Sequence, residues 1–147
     1  MVNHHKVIIN SFTGEYSFLS NFYQRSFVLW GIEFPTAEHA FQAGKTLDMD
    51  ERRLIAAVLT PGFAKSMGRQ VLLRPYWNEF YRYEVMEEVL QAKFSDPDLL
   101  ARLEATAPSL LIEGNTWGDQ TWGVSRGQGH NLLGWMLMRI RDDVATG

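Results

Sequence analysis

The chain of 147 residues contains no cysteine. This absence excludes disulfide bonds, thiolate nucleophiles and every zinc or iron–sulfur site that depends on cysteine ligands, and it is typical of a reducing compartment. Long apolar runs are also missing, since no stretch approaches the ~18 apolar residues of a membrane-spanning helix. The first ten residues lack the apolar segment of a secretory signal. We therefore expect a cytoplasmic protein that does not contact a membrane.

An excess of basic residues is missing as well. The chain has 14 lysines and arginines against 17 aspartates and glutamates, which gives a formal net charge of -3. A protein that coats nucleic acid by releasing counterions needs a basic surface, so we expect any contact with phosphate to be local. With 46% hydrophobic residues the chain can bury one continuous core. We expect a single domain over residues 1–147, with its core at about residues 15–142; the oligomeric state cannot be predicted from this pattern.

The order of apolar and polar residues predicts an α+β fold that is mainly helical and has a few short strands. Short β-branched or aromatic runs predict strands at residues 7–10, 27–30, 32–34 and 109–112, with a tight turn at Gly31. Helical spacing and breaker residues predict helices at residues 37–47, 50–59, 64–67, 77–94 and 132–141, and one that begins at Pro97. Thr36 is the expected N-cap of the first helix.

The helix predicted at residues 37–47 carries a polar stripe. Glu38, Gln42 and Lys45 fall at positions i, i+4 and i+7, which lie on one helix face. By itself this pattern is more typical of a solvated face on which Glu38 complements the helix dipole. His39 points roughly 100° away from Glu38, so the two do not form the i, i+4 pair of a zinc helix. A hydrogen-bonded structural histidine fits better, and we expect no metal.

A glycine-rich stretch at residues 113–131 is the second notable segment. It holds five glycines together with Trp117, Asp119 and Trp122, and it leads into a helix start at Asn131. Glycine lets backbone approach a ligand closely, and the free N–H groups of a helix start favour an anion. The stretch lacks the lysine and hydroxyl of a Walker loop. It predicts either a phosphate cradle or an ordinary surface loop.

Taken together, motifs along most of the chain resemble the NADAR family, a superfamily associated with NAD and ADP-ribose metabolism that includes YbiA-like N-glycosidases of riboflavin intermediates. The resemblance extends from about Ser20 to Arg141 in the order and spacing of the family. The motifs are Ser20-Asn21-Phe22, Pro35-Thr36-Ala37-Glu38-His39, Phe41-Gln42, Lys45, Ala64-Lys65, Gly68-Arg69, Trp77, Met86, Lys93-Phe94, Thr106, Asp119, Trp122-Gly123, Asn131-Leu132-Leu133-Gly134, Leu137-Met138 and Arg141.

This resemblance implies an N-glycosidase that cleaves the bond between C1 of a ribose and the nitrogen of a base or amine. The implied substrates are ribosylamino-pyrimidine phosphates of riboflavin synthesis or ADP-ribose attached to guanine. The partner is then a small ribosylated base, or an ADP-ribosylated nucleotide or nucleic acid, and no cofactor is required. A non-catalytic module that binds ADP-ribose or an NAD-type nucleotide is the alternative, and a purely structural domain ranks below it.

The resemblance also implies roles for individual residues. Glu38 and Asp119 are the expected catalytic acids, in either order, with Lys45 or Lys65 as a nucleophilic amine in an alternative Schiff-base route. The sequence does not decide between water and lysine. The expected substrate-binding residues are Asn21, Phe22, His39, Gln42, Arg69, Trp77, Trp122, Gly123 and Asn131.

Three features depart from the family pattern. Phe34 stands where a tryptophan is usual and Ala40 where an aromatic residue is usual. The loop at residues 118–128 is also richer in glycine. Because loops of this kind set specificity, this departure leaves the substrate open.

Overall fold

The computed structural model describes residues 6–146, with side chains to residue 143. Its strands are β1 (Ile8–Ile9), β2 (Phe27–Leu29), β3 (Ile32–Phe34), β4 (Leu110–Leu111), β5 (Gly114–Asn115) and β6 (Val124–Ser125). Its α-helices are α1 (Ala37–Ala43), α2 (Met49–Ala57), α3 (Pro61–Gly68), α4 (Arg82–Lys93), α5 (Pro97–Glu104) and α6 (Leu132–Thr146). A 3-10 helix spans Gly14–Leu19 and a π-helical turn spans Trp77–Tyr81. The predicted fold class, mainly helical α+β, is confirmed. No helix within residues 6–146 is long and apolar enough to cross a membrane.

The described chain forms two compact units. One contains residues 6–20 and 97–146, and the other contains Asn21–Asp96. The single domain expected from the sequence, with a core at about residues 15–142, stays a prediction.

Helix α1 is the centre of the Asn21–Asp96 unit. Every residue of α1 is buried, and the helix packs against α2, α3 and α4. The Thr36 side chain accepts a hydrogen bond from the backbone N–H of His39 (3.2 Å), which confirms the predicted N-cap. A helix that is buried on all sides cannot be a solvated polar stripe, so Glu38 lies inside the protein.

Strands β2 and β3 form the hairpin that the sequence predicts. Phe27 pairs with Phe34 and Leu29 with Ile32 in antiparallel register. The loop residues Trp30 and Gly31 both have positive φ, 53° and 72°. Two positive φ angles are what a two-residue hairpin loop with matched twist requires.

The predicted C-terminal bound of α1 is wrong. The helix ends at Ala43 rather than at Leu47, and the carbonyl of Lys45 accepts a hydrogen bond from the backbone N–H of Arg74 (2.7 Å). That carbonyl is therefore not used in a helical ladder. Lys45 follows the helix in a turn, so it does not share the helix face of Glu38 and Gln42.

The predicted boundary between α2 and α3 is also wrong. Helix α2 ends at Ala57 rather than at residue 59, and α3 begins at Pro61 rather than at residue 64. The Thr60 side chain accepts a hydrogen bond from the backbone N–H of Phe63 (3.1 Å). Capping by threonine followed by proline in the first turn is a favourable helix start.

The long helix predicted at residues 77–94 has two parts. Tyr76 has a φ of 62°, the turn Trp77–Tyr81 is π-helical, and α4 follows without a break. The wider turn changes the direction of the side chains at its start. Trp77 thereby packs inward and is 5% exposed.

The other unit is built around α6. Strand β1 pairs in parallel with β4, which confirms the predicted strands at 7–10 and 109–112 in shorter form. Helix α5 and strand β4 both pack against α6. Within this unit the glycine-rich stretch contains a further parallel pair, β5 with β6, that the sequence does not predict.

Candidate active site

Glu38 is a buried carboxylate held by a neighbouring amide. It is 7% exposed, and its Oε1 accepts a hydrogen bond from Nε2 of Gln42 (2.9 Å). Gln42 is one helical turn away on α1, so the two side chains meet as the i, i+4 spacing predicts. An ionised acceptor strengthens such a bond. The carboxylate therefore has a defined orientation.

Lys45 lies in the electrostatic field of Glu38 and of two further cations. Burial lowers the pKa of the half-buried Lys45 amine; Glu38 opposes this effect, while Arg69 and Lys65 lower the pKa further. A lowered pKa raises the fraction of neutral amine, which is the nucleophilic form. The structure thus couples Lys45 electrostatically to Glu38, Lys65 and Arg69, and these four residues come from two separate segments of the sequence.

Two exposed basic residues lie in α3 and at its C-cap. Lys65 and Arg69 are exposed and four residues apart, and Nη2 of Arg69 lies 3.4 Å from Oγ of Ser66. Exposed cations attract an anion from solvent. This arrangement suits a substrate whose phosphate remains near solvent.

Asn21 joins the site through its backbone. Its carbonyl accepts the N–H of Glu38 (3.0 Å), and its Nδ2 lies 3.4 Å from Sδ of Met86. Its Oδ1 is buried and has no hydrogen-bond partner among the residues that the structure describes. Phe22, the next residue, is 47% exposed. Asn21 therefore contributes a free acceptor and Phe22 an exposed ring.

Trp77 contacts an aromatic residue of α1. The rings of Phe41 and Trp77 are 5.3 Å apart between centroids and inclined by 51°. Tilted pairs of this kind pack more favourably than a face-to-face sandwich. Because Trp77 is almost fully buried, most of its surface serves this packing.

His39 is part of the frame of α1. Its Nδ1 lies 2.7 Å from Oγ1 of Thr36, and its Nε2 lies 3.0 Å from the carbonyl of Val58. The bond to a carbonyl requires Nε2–H, so Nδ1 accepts from the threonine hydroxyl. Burial lowers the pKa of His39, an effect that the bond to Val58 opposes. Because both ring nitrogens are hydrogen-bonded, His39 suits the structural role that the sequence also allows.

Asp119 is engaged with the loop that contains it. Its Oδ1 accepts the backbone N–H groups of Thr121 (3.1 Å) and Trp122 (2.9 Å), and its own N–H donates to Oδ1 of Asn115 (3.1 Å). Aspartate commonly stabilises turns in this way. The side chain of Asp119 thus contacts the backbone of Trp122. This is a structural contact, which is separate from the catalytic role that the family resemblance implies for Asp119.

The expected phosphate cradle at the start of α6 does not form. The N–H groups of residues 130, 131, 132 and 133 donate to the carbonyls of residues 120, 123, 121 and 122, at distances between 2.8 and 3.3 Å. N–H groups that are already satisfied cannot bind an anion. Asn131 has a φ of 53°, and its amide bridges the Glu113 N–H and the Leu111 carbonyl (2.9 Å each). The sequence predicts the start of the helix but does not show that these N–H groups already have acceptors.

Two residues that support this loop are absent from the predicted site. Nδ2 of Asn115 donates to Oε2 of Glu113 (3.0 Å) and to the carbonyl of Asp119 (2.9 Å). Gly123 packs against them, because an added Cβ would lie 1.8 Å from Oε2 of Glu113. Gly123 thus leaves room for the Glu113 carboxylate, which a side chain at position 123 would displace. The sequence signal that could have identified them is a pair of polar residues, Glu113 and Asn115, on either side of a glycine.

The Asn21–Asp96 unit also has a surface depression outside the candidate site. A shallow depression of about 450 Å³ in the Asn21–Asp96 unit is lined by Leu29, Glu84, Glu87, Glu88, Gln91, Ala92 and Ser95. None of these residues belongs to the predicted site. Residues 6–146 also contain no group of three histidines or carboxylates that could hold a metal ion.

The chain matches the NADAR domain family over residues 9–145. It is 41% identical to N-glycosidase YbiA of Escherichia coli (strain K12) over 144 residues, which cover 94% of this chain and 89% of that protein. It is 35% identical over 133 residues to a riboflavin biosynthesis protein of Vibrio vulnificus (strain YJ016), covering 88% of this chain and 36% of that protein.

The fold agrees with these matches. The NMR structure of the E. coli protein YbiA superposes with a TM-score of 0.83 and 39% identity, and the match covers 95% of this chain and 86% of that chain. The family match and the relatives both extend over most of the chain. The chain therefore belongs to the NADAR domain family.

Proposed function

We propose that the chain is an N-glycosidase that hydrolyses the bond between C1 of a phosphorylated ribose and the nitrogen of a base or amine. The relatives named N-glycosidase, which match most of the chain, support the enzyme class. One structural observation supports the site: Glu38 is buried, accepts a hydrogen bond from Gln42, and is coupled electrostatically to Lys45, which also lies in the field of Lys65 and Arg69. A binding module would need the cations but not the buried carboxylate.

The buried carboxylate suits the transition state of this reaction. When the C1–N bond breaks, its electron pair leaves with the nitrogen, and positive charge develops on C1 and the ring oxygen. The negative charge of Glu38 stabilises that cation, and its effect is larger inside the protein than in water. Water then adds to C1, and the departing nitrogen takes a proton. In this route Glu38 steadies the cation or positions the water.

Lys45 supports a second route to the same products. A neutral amine adds to C1 of the opened ribose, the base leaves with the electron pair of the C1–N bond, and a Schiff base remains on lysine. Water then hydrolyses the Schiff base and frees both the ribose and the amine. Because its pKa is lowered, Lys45 is the better candidate for the nucleophilic amine. We assign the exposed Lys65 to phosphate binding.

Lys65 of α3 and Arg69 at its C-cap support a phosphate-bearing substrate. We assign the phosphate to Arg69 and Lys65, because Arg69 offers a planar fork of donors that matches phosphate oxygens. The relative named as a riboflavin biosynthesis protein supports a ribosylamino-pyrimidine 5-phosphate as the first substrate to test. ADP-ribosylated guanine carries phosphate as well and is the second.

The decisive test compares Glu38→Gln with wild type and with Glu33→Gln, a control at an exposed carboxylate of β3. Each protein is incubated with both substrates, and free pyrimidine or guanine is separated by chromatography. We expect Glu38→Gln to lose at least about 100-fold in rate and Glu33→Gln to stay near wild type. Normal turnover by a folded Glu38→Gln protein contradicts the proposal. Substrate binding by wild type without base release supports the non-catalytic alternative.

A further inference from the structure

Gly68 stands at the C-terminal end of α3, directly against the side chain of Gln42. A Cβ added at Gly68 would lie 1.9 Å from Oε1, 2.9 Å from Cδ and 3.2 Å from Cβ of Gln42. The first two distances are shorter than real side chains tolerate. Gly68 is not among the glycines with positive φ, so the requirement for glycine is one of space. A close-packed interior transmits such a clash to the next group.

The next group is the Glu38 carboxylate. Gln42 is 3% exposed and turns its Nε2 toward Glu38, while its buried Oε1 has no hydrogen-bond partner within the described part of the chain. A buried oxygen without a partner is unfavourable. The amide keeps this orientation because the carboxylate needs a donor on one side and Gly68 leaves room on the other.

We propose that Gly68 is a positioning residue for Glu38 that acts through the amide of Gln42. A side chain at position 68 displaces the amide, and the Glu38 carboxylate loses the donor that orients it. This inference rests on the proposed function, because it takes Glu38 as the group that stabilises charge at C1. Displacing a catalytic group by ~1 Å costs about 100-fold in rate.

The first experiment measures kcat and KM for base release from a ribosylamino-pyrimidine 5-phosphate. We expect Gly68→Ala to lower kcat by about 100-fold with a much smaller effect on KM, since the phosphate contacts assigned to Arg69 and Lys65 do not depend on the Gln42 amide. Gly62→Ala is the control on the same helix, because its added Cβ would find only Oγ1 of Thr60 within 4 Å, at 3.8 Å. It should keep wild-type kcat. A Gly68→Ala protein with wild-type kcat overturns the proposal.

The second experiment tests whether the effect passes through Gln42. In a Gln42→Ala background the displaced amide is gone, and of the three atoms nearest to the added Cβ only Cβ of residue 42 remains, at 3.2 Å. We expect Gly68→Ala to lower kcat by less than about threefold there, because coupled residues are not additive. The same comparison decides the case if Gly68→Ala alone does not fold. A double variant that is unfolded, or that shows the full further loss, overturns the proposal.

Glu38→Gln separates the two hypotheses. Normal turnover by Glu38→Gln refutes the proposed function, whatever substitution at Gly68 does. Loss of base release in Glu38→Gln together with a normal Gly68→Ala protein refutes only the positioning role. We expect Gly68→Ala to cause no further loss in the Glu38→Gln background, since the group it positions is already inactive.

Discussion

Asp119 holds the backbone of Trp122 in place, because its Oδ1 accepts the Trp122 N–H at 2.9 Å. The same oxygen accepts the N–H of Thr121 at 3.1 Å. An asparagine side chain retains a carbonyl oxygen for both bonds but has no charge. Substitution by asparagine and by alanine therefore separates the structural role of Asp119 from the acid or base role that the family resemblance implies.

We expect Asp119→Ala to destabilise the protein by about 1–2 kcal/mol, because two backbone donors lose their acceptor. Asp119→Asn should keep the wild-type free energy of unfolding in urea. If Asp119 also transfers a proton, Asp119→Asn lowers base release by about 100-fold. Wild-type turnover by Asp119→Asn would restrict Asp119 to its structural contact.

Lys45 is expected to form the covalent adduct if the Schiff-base route operates. Borohydride added during turnover should attach the ribose to wild type and to Lys65→Ala, but not to Lys45→Ala. Because burial, with the nearby cations, lowers the pKa of Lys45, trapping should increase with pH and reach its plateau below the pKa of an ordinary lysine. Mass spectrometry of the trapped protein measures both effects. Turnover without an adduct in wild type supports attack by water.

Arg69 is expected to affect substrate affinity more than turnover. Loss of a charged donor to phosphate at an exposed site should raise KM by about tenfold in Arg69→Gln, with a smaller effect on kcat. The KM effect should shrink at high salt, because exposed charges are screened. Arg53→Gln, at an exposed arginine of α2 next to Asp50 (3.4 Å), is the control. Equal KM values for Arg69→Gln and Arg53→Gln contradict the assignment.

His39 should make the protein less stable in acid. An unfolded histidine has a pKa of about 6.5, and burial lowers the folded value. As pH falls below about 6.5 the unfolded state therefore binds the proton first, so the free energy of unfolding decreases toward the lowered pKa. His39→Gln should weaken this dependence, whereas substitution of the exposed His130 should not. Urea unfolding between pH 5 and pH 8 measures the difference, and parallel curves for wild type and His39→Gln would contradict it.

Lys93 should extend the same dependence, greater stability at higher pH, into the alkaline range. Burial lowers the pKa of Lys93 to about 7, and the residue is 1% exposed, with Nζ 5.2 Å from the ring centroid of Phe94. An unfolded lysine titrates near about 10.4. Between these values the unfolded state holds more protons, so stability rises with pH from about 7 to about 10. Lys93→Met should flatten that rise, and Lys6→Met, at an exposed lysine, should retain it. An unchanged slope in Lys93→Met refutes this interpretation.

Local signals were sufficient for much of the fold. The hairpin at Gly31, the cap at Thr36 and the helix after Asn131 were predicted correctly because each depends on a few adjacent residues. Strands β5 and β6 were missed, since two-residue pairs within a glycine-rich loop have no periodicity to detect. The segments that contain the candidate site were predicted from the order and spacing of the motifs.

The sequence by itself determined the fold class, the family and the segment that carries Glu38. The tertiary structure decided which groups those residues meet: it buries the face of Glu38 and Gln42, and it places Lys45 outside the helix. It also occupies the N–H groups before α6 with loop carbonyls and sets Gly68 against an amide. Periodicity is a local property, whereas hydrogen-bond partners and packing distances join residues far apart in the chain. For this reason only the folded chain places Gly68 against the amide that donates to Glu38, the leading catalytic candidate.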